Sequence, residues 1–154
     1  MATSTLVQFL AAGQSVETSN KRQVETFKAD GAIAAGAPVM FDIAESNDGD
    51  KMLKVVESAA DAPCIGVSLE DAAVAAGDDV RVVLSGFVSA LVKGTNDGGN
   101  AAISAGNYIC QGDVAGEFYK YTAGTDAMPH AVCLEAVSSG AAAALVKVIM
   151  LKQF

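Results

Sequence analysis

The chain has 154 residues, enough for one ordinary domain or two very small ones around a shared core, and enough to bury that core without disulfide staples. Hydrophobic residues reach 51% while aromatics are 6% and Trp is absent, a composition suited to thin, closely packed sheets rather than a deep ring-lined cavity. Eighteen Asp and Glu against ten Lys and Arg leave a net charge of −8, which repels phosphate backbones and anionic lipid and so argues against nucleic-acid and membrane partners.

The first thirty residues read as an N-terminal arm or peripheral segment, poor in Gly and carrying a charged run from Glu17 to Asp30. Ser19-Asn20 ahead of Lys21 fits a helix cap, whereas Val24-Glu25-Thr26-Phe27-Lys28 alternates as a strand does, and both readings stay open. Lys21, Arg22 and Lys28 form a basic patch in an acidic chain. The ordinary reading of such a patch is a solvated face, and the functional one is contact with an acidic partner.

From Gly31 onward, short strand signals alternate with Gly, Asn and Asp turns, the pattern of an all-β sandwich or barrel. Ala37–Phe41 and Met52–Val56 flank a polar stretch whose Asp48-Gly49 predicts a hairpin turn, with Asp tolerating positive φ and Gly lacking a Cβ. Strands are expected at Cys64–Leu69 and Val80–Leu84, the latter broken by Gly86 before Phe87–Val92 resumes. The Ala-rich Glu70–Gly77 predicts a helical turn.

The block then recurs. Gly31–Val39 aligns with Ala101–Ile109 at an offset of 70 residues (Ile33 with Ile103). Val67-Ser68-Leu69-Glu70 aligns with Val132-Cys133-Leu134-Glu135, Gly77 with Gly140, and Arg81–Leu84 with Lys147–Met150. Unequal loops between kept strands explain the drifting offset. The expected organisation is an arm (1–30), a first β-rich half (31–93), a connector of flexible composition (94–100) and a second β-rich half (101–154).

The chain has one histidine, His130, so a nucleophile–base–orienter constellation has little to draw on. Aligning Pro63 with Pro129 sets His130 where the first half carries Cys64, which keeps the two apart. His130 with Cys133 offers two metal ligands and no more. Cys64, Cys110 and Cys133 are odd in number and lack CxxC spacing, so buried free thiols are expected. Asn47-Asp48-Gly49-Asp50 lacks the ligand spacing of a calcium loop, and no phosphate-loop or nucleophile-elbow motif is present. Nothing points to an enzyme, a cofactor or a metal. The start Met1-Ala2-Thr3-Ser4-Thr5 has no basic leader region, and the apolar run Ala141–Leu151 is short and interrupted by Lys147, so synthesis in the cytoplasm as a soluble protein is expected.

Residues 31 to 88 resemble the head decoration (cement) proteins of tailed bacteriophages. The resemblance lies in the Ala-Pro-Val-Met strand at Ala37–Phe41, the stretch from Val55 to Ile65-Gly66-Val67, the Ala-rich loop ending at Gly77, and the strand from Val80 to Ser85-Gly86-Phe87. It is one of pattern, and the repeat and the N-terminal region depart from it. It implies a β-barrel or tulip-like sandwich, homo-oligomers with a trimer favoured and a dimer possible, and attachment to the major capsid protein on the capsid surface of the virion. Lys21, Arg22, Phe27 and Lys28 are then the candidate shell-contact arm. The alternatives are another virion component (tail, fibre or baseplate subunit) and a small ligand-binding β module.

Overall fold

A computed structural model describes residues 22–60, 62–126 and 128–151. Eleven strands follow one another: β1 (Arg22–Ala29), β2 (Pro38–Phe41), β3 (Lys54–Glu57), β4 (Gly66–Ser68), β5 (Asp79–Val92), β6 (Thr95–Asn96), β7 (Gly99–Asn100), β8 (Tyr108–Gln111), β9 (Phe118–Lys120), β10 (Ala131–Cys133) and β11 (Ala144–Met150). The fold is all-β, with no helix among the described residues.

Nine strands form one mixed sheet in the order β1-β3-β2-β4-β5-β11-β10-β8-β9, and two further pairings, β1 with β5 and β5 with β9, close it on itself twice. The result is two five-stranded barrels, β1-β3-β2-β4-β5 and β5-β9-β8-β10-β11, that share β5. Closure removes most of the open sheet edge that small sandwiches must otherwise protect.

The 14-residue β5 serves both barrels because its buried positions change phase along its length. Val80 and Val82 enter the first core with Ile33, Val39 and Val55. Val83, one residue on, joins the second core, as do Val88, Ala90 and Val92. Val83 and Val88 face the same core at an odd separation, and between them lies Gly86 at φ 95, beside which the β1–β5 register shifts between Gln23 and Val24. A glycine in the left-handed region together with a bulge re-aims the side chains of a strand without ending it. Gly86, expected to break the strand, bends it instead.

Matching hydrogen bonds relate the two halves. Ile33 and Val74 exchange backbone bonds of 3.0 and 2.8 Å, and Ile103 and Val137 exchange bonds of 2.9 and 2.8 Å. Gly77 N donates to Ala29 O and Gly140 N to Gly94 O, both at 2.7 Å. Arg81 pairs with Glu70 as Lys147 pairs with Glu135. The helical turn expected at Glu70–Gly77 is therefore absent, since Val74 is committed to its bridge with Ile33. His130 corresponds to Ile65 rather than to Cys64: Ile65 N donates to Val39 O, and His130 N to Ile109 O, each at 2.9 Å.

Two segments and one turn differ from the sequence expectation. Residues 22–29 of the expected arm pair with β5 along seven positions and belong to the first barrel; residues 1–21 lie outside the described residues. The expected connector 94–100 contains the β6–β7 hairpin, whose Asn96 Oδ1 accepts from Gly98 N at 3.1 Å. The hairpin between β2 and β3 forms, but its turn is held by Asn47, whose Oδ1 accepts from Gly49 N at 3.1 Å and whose carbonyl accepts from Asp50 N at 2.9 Å, and Gly49 is not among the positive-φ glycines.

Candidate functional site

Of the four residues expected to form a shell-contact arm, the three that are described, Arg22, Phe27 and Lys28, do not form one surface. Lys21 lies outside the described residues. Phe27 is half-buried, packs on the first core and meets Phe41 edge to face at 5.8 Å. Its neighbour Lys28 points the other way and pairs with Asp79 at 2.7 Å, as alternation along a strand requires. Arg22 stands at the far end of β1, about 20 Å from Lys28 at the rise of a strand. There it borders a groove of about 400 Å³ with exposed Phe87 and Leu145 and the charged side chains of Glu70 and Lys147.

A second concavity, of about 520 Å³, lies where the first barrel's loop at Ala62 and Pro63 meets the second barrel. Cys110, Gln111, Tyr119 and His130 make its buried floor, from β8, β9 and the residue before β10. Asp97, from the β6–β7 turn, stands at its rim with Thr125, Asp126 and Met128 from the β9–β10 loop. Tyr119 donates its hydroxyl to Asp126 Oδ1 at 2.7 Å, and Asp126 Oδ2 also accepts from Thr122 N. Burial first, and then the Asp126 carboxylate, raise the phenol well above its ordinary range, so it stays neutral and keeps donating. Gln111 Nε2 donates to Val114 O at 3.0 Å and more weakly to Gly112 O at 3.4 Å, which fixes the amide's orientation.

The structure thus gathers Cys110 with His130 in one cavity, a pair the sequence did not single out. The repeat is the signal that was there to read, because β8 and the start of β10 are matched to β2 and β4, which neighbour one another. Cys64 and Cys133 are core residues with thiols donating to Gly66 O and Glu135 O, each at 3.0 Å. Burial pushes the Cys64 thiol up to about 12 and raises that of Cys133, so both stay protonated.

Three carboxylates, Asp30, Asp42 and Glu45, lie close enough together to hold a cation. The Lys54 ammonium is already there, in a short contact with Glu45 and 3.4 Å from Asp30. Its hydrogen bond holds the Glu45 carboxyl at about 2, and the lysine is raised in turn.

Two small closed barrels fused through a shared strand, with a two-walled cavity at the seam, define the class: an all-β protein built from paired barrels. No protein-family model matches the chain, and no curated protein matches it. Among solved structures its fold is similar to the head fiber gp8.5 N base of bacteriophage phi29, with a TM-score of 0.51 and 14% identity over 85% of this chain and 95% of that one. At that identity the likeness is one of fold.

Proposed function

We propose that this chain is a structural, non-catalytic subunit of a bacteriophage virion, seated on the outside of the head, where it binds the major capsid protein and stabilises the assembled shell. The observation that carries the reading is the shared fold with a phage head-fibre base over 85% of the chain. The sequence resemblance to head decoration proteins points to the same place. An acidic surface keeps such a subunit soluble before assembly, and oligomerisation, with a trimer favoured and a dimer possible, multiplies modest contacts into durable attachment.

A second reading, the base of a head fibre, is favoured by what the similar structure is. The two readings differ in what binding does to the head. A decoration protein raises the temperature at which bound heads rupture, whereas a fibre base binds without that gain. The test is to mix the purified protein with expanded, undecorated heads at micromolar concentration, sediment, and heat the pellet. Failure to co-sediment overturns both.

A further inference from the structure

We propose that the groove beside Arg22 is the docking site of this chain's own N-terminal segment, with Leu6-Val7-Gln8-Phe9-Leu10 as the part that fills it. On the face of β5 and β11 turned away from the second core, Phe87, Ser89 and Leu91 stand opposite Ile149, Lys147 and Leu145. Alternation along a strand sets these pairs in one row, apolar at both ends and polar in the middle. Phe87 and Leu145 are 51% and 54% exposed, so two large apolar side chains on one groove are left half uncovered. Gly36 keeps the groove open at the Leu145 end: a Cβ there would run into Leu145 Cδ2 and lie 2.9 Å from Ser89 O. Exposed apolar side chains gathered in one depression mark an interaction surface.

The chain path and the charge pattern name the occupant. Arg22 lines the groove and lies opposite Gly86, the neighbour of Phe87, and residues 1–21, outside the described residues, join the fold at that point. No side chain before Glu17 is charged, although the chain as a whole carries −8. Nothing in that stretch would bring an unpaired charge onto the apolar ends of the row. Extended, it would lay Leu6, Gln8 and Leu10 on one side, with the two leucines about 13 Å apart. Phe87 and Leu91 have the same separation along β5, so the apolar–polar–apolar order of the segment matches the order of the row. The residues between Leu10 and Arg22 reach up to about 40 Å, more than the groove requires. A short tether holds the segment at a local concentration on the order of millimolar, which favours it over a second copy or a separate protein.

The test is methyl NMR on the full chain, labelled at Leu, Val and Ile. Nuclear Overhauser cross-peaks are expected from the Leu145 methyls to those of Leu6 or Leu10, together with shielding of Leu145 from a soluble nitroxide. The double variant Leu6→Glu, Leu10→Glu should lose both the cross-peaks and the shielding. Unchanged methyl shifts of Ile33 and Ile103 in that variant would show that both barrel cores are intact, so the loss reads the groove alone. Mixing two differently labelled batches separates contacts within a chain from contacts between copies. Cross-peaks found only between copies overturn the proposal in favour of a second chain, and cross-peaks to Phe154 overturn it in favour of the C-terminal residues. A Leu145 that is open to the nitroxide in the parent, or equally shielded in the variant, overturns it outright.

Discussion

Gly94 shows how a single position can be held to glycine by its neighbours. A Cβ placed there would run into Ser138 O and lie 2.8 Å from Ala141 N, and backbone cannot move aside as a flexible side chain can. Gly94→Ala should cost about 3 kcal/mol as overpacking, read as a lower urea midpoint with unchanged slope. Glu45 gives a pH prediction. Its folded-state value of about 2 lies below the ordinary 4.5, so its contribution to stability is present above 4.5 and is lost as pH falls through about 2. A carbon-detected NMR titration should find that low midpoint, and Lys54→Met should return it to the ordinary carboxylate range. The raised Cys64 thiol should resist iodoacetamide at pH 8 in the native protein and react once urea unfolds it.

At the scale of elements, β5 matters most because it is a wall of both barrels. Its outer positions tie neighbouring strands together: Arg81 grips the Glu70 carboxylate with Nε at 2.8 Å and Nη2 at 3.1 Å, and the carboxylate also accepts from Arg81 N. Gly86→Ala would place a Cβ in the left-handed region at φ 95, a strain of about 1–3 kcal/mol. Because the bend re-aims Val83 and Val88 toward one core, the substitution should loosen both barrels at once. Amide exchange is the measurement: protection should fall in β1 and in β11 together. Loss confined to one barrel would mean that the bend is not what couples them.

For the whole molecule, sharing a strand implies one cooperative unit rather than two domains on a linker. Ile33 and Ile103 occupy matched places, each essentially buried, one in each core. Ile33→Ala and Ile103→Ala should each destabilise by about 2–5 kcal/mol. Both should shift the same single thermal transition, with calorimetric and van't Hoff enthalpies in agreement. Two separable transitions in either variant would show that the barrels unfold independently.

The sequence by itself determined the class and the rhythm of the chain. Alternation of apolar residues and turn glycines marked β2, β3, β4 and the two runs of β5 within a residue or two, and the kinship of Gly31–Val39 with Ala101–Ile109 pointed to paired halves, because burial on one face of a strand leaves a period of two in the residues themselves. Which edges pair leaves no such trace, since every residue but proline presents the same N–H and C=O. Only the tertiary structure therefore decided that β1 is a barrel strand and not part of an arm, and that Phe27 turns inward while Lys28 turns out. It alone put Gly86 between Val83 and Val88, where β5 changes phase so that both side chains face the second core. The same limit hid the seam cavity: Pro63, Asp97, Gln111, Asp126 and His130 are distant in sequence, and long-range strand pairing is what brings them to one wall.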